Sequence, residues 1–242
     1  MTEIAAVSWV EFERQAGRSR IALVPVGAVE ANGPHLAQGL DNYVAEALAR
    51  AVAERTGGYL APLVPVGWSE RLEGPPGMLN VDPHVLEAYC EGIARSLIAN
   101  GLDRILFVNG HGGNTFSLDL VCHRLEGELT GSRLAHVELW KFLQPLAEDL
   151  AEGTENRFGH AGEMPTSLLL HLRPELVDMD AAEDAKPGVP DDPYGLVRPR
   201  PYTLRMPRGT LGDSRLATAE KGRILFERMT DELTRFLLEG DF

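Results

Sequence analysis

The sequence predicts an α/β protein with a mostly parallel central sheet and helices on both faces. Three observations lead there. Buried-strand runs alternate with amphipathic helices through the first two-thirds of the chain, a rhythm that implies crossover connections and parallel pairing. The clearest run, Arg104-Ile105-Leu106-Phe107-Val108, leads without a break into Asn109-Gly110-His111-Gly112-Gly113-Asn114, a glycine-rich turn where an open sheet carries its site. The length of 242 residues, with 44% hydrophobic and 24% charged, suits one domain over 1–242 that buries its core without disulfides or structural metal.

Taken in order, Ser8 reads as the cap of a short helix through Gln15, and Ile21 to Val26 as a buried strand. After a glycine-containing loop, Asn42 begins a helix with Val44, Ala47, Leu48 and Val52 on one face. Tyr59 to Val66 is the next strand, and Gly67 to Asn80, with Pro75-Pro76-Gly77, is irregular. Asp82-Pro83 caps a helix ending near Asn100-Gly101. The 104–108 strand follows, then a helix and a strand near Leu134 to Leu139. The last third is less periodic. Pro187 to Pro207 reads as an ordered arm or surface excursion, and Thr218-Ala219-Glu220 opens a terminal helix with Ile224, Leu225, Met229, Leu233 and Leu237 at helical spacing.

Composition excludes several classes. The net charge of −13 and the lack of a basic cluster argue against nucleic acid and against anionic membranes. No apolar run approaches the ~20 residues that span a bilayer, and Met1-Thr2-Glu3-Ile4 lacks the layout of a secretory signal. Two separated cysteines, Cys90 and Cys122, fit buried packing in a reduced, cytoplasmic setting.

Ionisable residues gather at strand ends. Glu30 lies just past the first strand, Asp41 ends the loop that follows, and His111 lies just past the 104–108 strand. If those strands are neighbours, two carboxylates and an imidazole converge on one crevice, a set that suits Zn²⁺, Mn²⁺ or Fe²⁺ with positions open for water or substrate. Alone, each has a plainer reading as a solvated charge, a cap or a structural histidine. The glycines around His111 tilt the balance by permitting close approach. The turn lacks the spacing of a dinucleotide or P-loop motif, and neither G-x-S-x-G nor H-E-x-x-H occurs.

Four stretches together resemble the creatininase family. Pro25-Val26-Gly27-Ala28-Val29-Glu30-Ala31-Asn32-Gly33-Pro34-His35-Leu36 with Asp41 is similar to the family's opening, P-x-G-x-x-E-x-H-G-x-H-L and a downstream Asp. Val108 to Asn114 resembles its second motif and His160-Ala161-Gly162-Glu163-Met164-Pro165-Thr166-Ser167 its third, H-A-G-E-x-E-T-S. Gly212-Asp213 and Ala217 to Gly222 also look familial.

The resemblance implies a three-layer α/β/α fold, a homo-oligomer (often a hexamer), and metal-dependent hydrolysis of a C–N bond, amide or cyclic amide, in a small molecule. By position, Glu30, Asp41 and His111 match the ligands of one metal, and Asp41 would bridge to a second. His160 matches a residue near the scissile bond that would shuttle a proton to the leaving nitrogen. Trp140 falls where a tryptophan packs on substrate, with core packing as its plainer reading.

The chain departs from the pattern at three points. Asn32 replaces the second metal's histidine, Gly113 stands where creatininase has a glutamate ligand, and Pro165 replaces a glutamate. Asn32 is therefore expected to make at most a weak second site, with about one metal held tightly per chain. Glu163 is the nearby acid left to position water, its alternative being to stabilise a helix N-terminus. Two other readings stay open: an inactive member that binds a metabolite, and a metal-dependent ring-opening enzyme acting on a non-amide carbonyl. Substrate choice is expected from the Trp68–Asn80 loop and the Pro187–Pro207 arm.

Overall fold

The architecture comes from a computed structural model that describes residues 1–69, 75–188, 206–240 and 242. The chain opens with a two-residue strand, β1 (Thr2–Glu3), and helix α1 (Trp9–Gln15), whose first turn is capped by the Ser8 hydroxyl. Strand β2 (Ile21–Val26) is buried at all six residues. Helix α2 (Leu40–Thr56) begins two residues earlier than its apolar periodicity suggests, and so takes Asp41 out of the loop and into its first turn. Strand β3 (Tyr59–Leu60) is shorter than the expected 59–66 span. Pro62 has no N–H to give, and pairing resumes only at the bridge between Val64 and Val26.

Helix α3 (Pro83–Ala99) starts as expected, the Asp82 carboxylate accepting from His84 N at 2.8 Å. Strand β4 (Arg104–Asn109), helix α4 (Thr115–Glu128) and strand β5 (Arg133–Glu138) follow, and α5 (Leu139–Phe142) leaves β5 at once. Helix α6 (Glu163–Leu172) has no strong sequence signal because Pro165 interrupts it. That proline is its third residue, where the amide has no intrahelical acceptor, so the first turn tolerates it. A small antiparallel pair, β6 (Asp184–Ala185) with β7 (Gly212–Asp213), precedes the terminal helix α7 (Ala219–Glu239), capped by the Thr218 hydroxyl. Most of the 187–207 arm, residues 189–205, lies outside the described residues.

The five-stranded sheet has the order β1-β3-β2-β4-β5 and is parallel throughout. Its residues alternate between two cores, as a period-two strand must. Leu23, Leu106 and Val108 face α2, α6 and α7, whose Leu48, Leu168, Leu225 and Met229 complete one layer. Val24, Ile105 and Phe107 face α3 and α4, with Leu86, Leu118 and Leu125. This is the expected three-layer arrangement. Register pairs Val26 with Asn109 and Asn109 with Glu138, so three strands end level, and the residues that follow them meet at one edge.

Candidate metal centre

Two glycines bring the start of α2 onto that edge. A Cβ on Gly27 would collide with Asn42, and one on Gly110 with the Asp41 carbonyl. With bare backbone at the ends of β2 and β4, the first turn of α2 settles against both strands and aims Asp41 at the loops carrying Glu30 and His111. The sequence reading assigns Gly110, Gly112 and Gly113 to ligand access. Gly110, together with Gly27, instead admits the protein's own helix, whereas Gly112 and Gly113 do line the cavity.

The three residues expected to converge do so. One ligand atom from each of Glu30, Asp41 and His111 lies within 4.8 Å of the other two, and all three residues are buried. His111 Nδ1 sits 2.9 Å from Glu30 Oε2 and 3.3 Å from Asp41 Oδ2. One Nδ1 proton cannot serve both, and Glu30 Oε2 and both Asp41 oxygens have no hydrogen-bond partner in bonding geometry among the described residues. His111 Nε2 is 3.0 Å from the Trp68 carbonyl and 3.3 Å from Ser69 Oγ. A carbonyl only accepts, so Nε2 carries a ring proton, and Nδ1 is the ring atom turned toward the carboxylates, able to give a lone pair to a metal once its own proton leaves.

The electrostatics show what this arrangement lacks. Burial pushes Asp41 up to about 8, and the neighbouring Glu30 charge adds to the rise. Burial also disfavours a charged His111, yet Glu30 and Asp41 prevail and raise it well above the ordinary imidazole value. Glu30 is penalised by burial but drawn below the ordinary carboxylate value by His111. Without another cation, protons on His111 and Asp41 are the counter-charge for two buried acids. A divalent cation satisfies the orphaned oxygens and replaces those protons, so the residues fit a metal.

A cavity of about 230 Å³ opens beside this cluster, walled by Glu30, Asn32, His111, His160, Trp140 and Phe158 among others. His160 donates from Nε2 to the Ala31 carbonyl at 2.8 Å, leaving Nδ1 facing Glu30 Oε1 at 3.8 Å. Trp140 lines the cavity and also packs against the core. Asn32 is on the wall, 1% exposed.

Glu163 is placed differently from the expectation. Its carboxylate accepts from the backbone N–H of Glu152 and Gly153 and from Lys221 Nζ at 2.7 Å, and it is not part of the cavity wall. Saturated in this way, it has no lone pair turned to a substrate water, and the water-positioning role is corrected to a structural one. Gly113 also carries nothing into the cavity, since a Cβ there would collide with the Trp68 carbonyl and the His111 ring.

Sequence reasoning missed Ser69, Phe116 and Phe158. Ser69 is 2% exposed beside His111 and its backbone N–H is held by Asn80 Oδ1 at 2.8 Å. Its only signal was a place in the loop beyond β3. Phe158, two residues before His160, was legible from that proximity. Residues 70–74 of the Trp68–Asn80 loop lie outside the described residues.

Comparison with known proteins agrees with the geometry. The chain is 29% identical over 239 residues to creatinine amidohydrolase of Pseudomonas putida, covering 93% of this chain and 91% of that one. It is 32% identical over 219 residues to the mycofactocin precursor peptide peptidase of Mycobacterium ulcerans, covering 87% and 81%. Among solved structures, a manganese form of creatininase superposes with a TM-score of 0.85 at 27% identity, covering 98% of both chains. A mutant creatininase of Zn–Zn type gives 0.83, also at 27%, over 98% of this chain and 96% of that one. Residues 5–237 match the family model described as creatinine amidohydrolase, and with this fold and this cluster the chain belongs to the creatininase family.

Proposed function

We propose that this creatininase-family enzyme hydrolyses a C–N bond, amide or cyclic amide, in a small molecule, using about one tightly held divalent cation per chain. The observation that carries the reading is the set of buried Glu30 and Asp41 carboxylate oxygens, without a hydrogen-bond partner in bonding geometry among the described residues, gathered around Nδ1 of His111. Its oxygen-rich, single-imidazole composition suits Mn²⁺ or Zn²⁺, and Fe²⁺ by the same donor chemistry. When bound, such a cation supplies Lewis acidity toward a carbonyl and a water.

The chain's own residues do the rest. The Ala31 carbonyl fixes the His160 ring so that Nδ1 faces the reacting centre, where it takes a proton and returns it to the leaving nitrogen. Trp140, Phe158 and Leu143 present apolar surface that excludes bulk water and holds a flat substrate. Among the described residues a second cation finds few donors. Gly113 has no side chain, Pro165 has no acid, Glu163 is engaged by Lys221, and Asn32 offers a single neutral oxygen.

The test strips the protein with a chelator, reloads it with Mn²⁺ or Zn²⁺, and measures metal per chain. Hydrolysis is then followed by mass across small amides, lactams and short peptides, a gain of one water marking the reaction. The His111→Ala variant is expected to hold its circular dichroism while losing metal affinity by roughly 100-fold or more, and activity with it. Unchanged metal content and full activity in that variant would refute the assignment.

A further inference from the structure

Asn32 carries more information than its failure to be a histidine. Its side chain is 1% exposed and stands on the cavity wall. Nδ2 donates to the Glu30 carbonyl at 3.4 Å, which sets the orientation of the amide. Oδ1 is then left buried, with no hydrogen-bond partner among the described residues. A buried acceptor without a donor is an uncommon expense in a folded protein, and on a cavity wall it marks where a ligand's donor belongs.

We propose that Asn32 is a specificity-determining residue whose Oδ1 accepts an N–H from the substrate, so that the enzyme takes amides or lactams with a free N–H beside the carbonyl. The proposal rests on the hydrolase reading above. Three consecutive residues then divide the work. Glu30 gives its carboxylate to the cation site, Ala31 orients His160 through its carbonyl, and Asn32 reads the substrate. A neutral amide suits the task, because it accepts a hydrogen bond without adding a third negative charge beside Glu30 and Asp41. The alternative use of Oδ1, as donor to a second cation, finds little support around it. Among the described residues Glu30, Asp41 and His111 form the one cluster of potential ligands, and the Trp68 carbonyl occupies the space into which a side chain at 113 would grow.

A matched pair of probes tests this without knowledge of the natural substrate. Acetohydroxamate and N-methylacetohydroxamate both offer two oxygens to a cation, and only the first has an N–H. Binding to the Mn²⁺-loaded protein is measured by calorimetry or by the fluorescence of Trp68 and Trp140, which line the cavity. The unmodified protein is expected to prefer acetohydroxamate by about tenfold or more. Asn32→Leu, similar in volume but without an acceptor, is expected to keep the same Mn²⁺ content and to bind both probes equally. Equal affinities in the unmodified protein overturn the proposal. A preference that survives in Asn32→Leu is steric and overturns it as well, and loss of Mn²⁺ from that variant makes Asn32 a ligand instead. Failure of both probes to bind the Mn²⁺-loaded protein is a separate result. It removes the hydrolase reading of the cavity and this proposal with it.

Discussion

At Glu30, Asp41 and His111 the decisive fact is competition between protons and a cation for the same lone pairs. Asp41 is pushed up to about 8 by burial and then by Glu30, and His111 is raised well above its ordinary value against the pull of burial. Both shifts are upward, so the metal-free native state holds protons that the unfolded chain releases, Asp41 from about pH 4 and His111 from about pH 6.5. Stability tied to those protons is complete below the unfolded values and is lost as pH climbs through the folded ones. The metal-free protein is therefore expected to lose stability as pH rises from about 4 through about 8 on account of Asp41, with a further loss from about pH 6.5 upward on account of His111. A cation displaces the protons, so its apparent affinity rises over the same window, about tenfold per pH unit for each proton displaced. Thermal unfolding with and without Mn²⁺ reads this directly, the gap between the two widening as pH rises. Calorimetry in buffers of different ionisation heat should show protons released on binding at neutral pH. A gap that narrows with rising pH would contradict the scheme.

At the scale of elements, two junctions hold the site. The first is the close seat of α2 on the ends of β2 and β4, which depends on Gly110. Gly110→Ala forces the Asp41 backbone away and is expected to destabilise the fold by about 1–3 kcal/mol while weakening metal binding. Gly112→Ala meets nothing nearer than the Glu138 carboxylate at 3.7 Å, and should leave stability and metal affinity unchanged. Equal effects of the two substitutions in thermal unfolding and metal titration would remove Gly110 from this role. The second junction is the Glu163 carboxylate, which ties the start of α6 to the 152–153 backbone and to Lys221 on α7. It anchors the loop carrying Phe158 and His160. Lys221→Met leaves Glu163, 2% exposed, without its cation, and the expected loss is roughly 3 kcal/mol, read by denaturant unfolding. A change below about 0.5 kcal/mol, the level of an ordinary surface substitution, would show that the backbone amides alone suffice.

Across the whole molecule, large apolar side chains stay in solvent when the chain stands alone. Trp9 is 77% exposed, Phe116 75%, Tyr89 57% and Val85 56%. Apolar exposure of this kind commonly marks a contact surface. A closed homo-oligomer is the expected state, with a hexamer as the form the family resemblance suggests. Light scattering at micromolar concentration checks this, and a single-chain mass would contradict it. Among the described residues no helix is long and apolar enough to cross a membrane.

Much of this was legible before any coordinates. Continuous apolar runs, buried on both faces of the sheet, made β2 and β4 visible, and periodicity with caps placed α1, α3 and the start of α7 to within a residue or two. The position of Glu30 and His111 just past two strand ends pointed to one crevice, because neighbouring parallel strands finish at the same edge. What the linear chain could not decide was everything set by contact between distant segments. Asp41 enters the first turn of α2 because two strand ends lack side chains to hold that helix off, a fact of packing rather than of local propensity. Glu163 reads as an available acid in its motif, yet Lys221, 58 residues away, saturates it. Ser69 comes to His111 from a loop with no periodicity to announce it. Local sequence determines which residues can form strands, helices and caps, since those depend on neighbours in the chain. Which acid is free to act and which oxygen is left without a partner is decided only when burial removes water and the tertiary fold supplies, or withholds, the replacement.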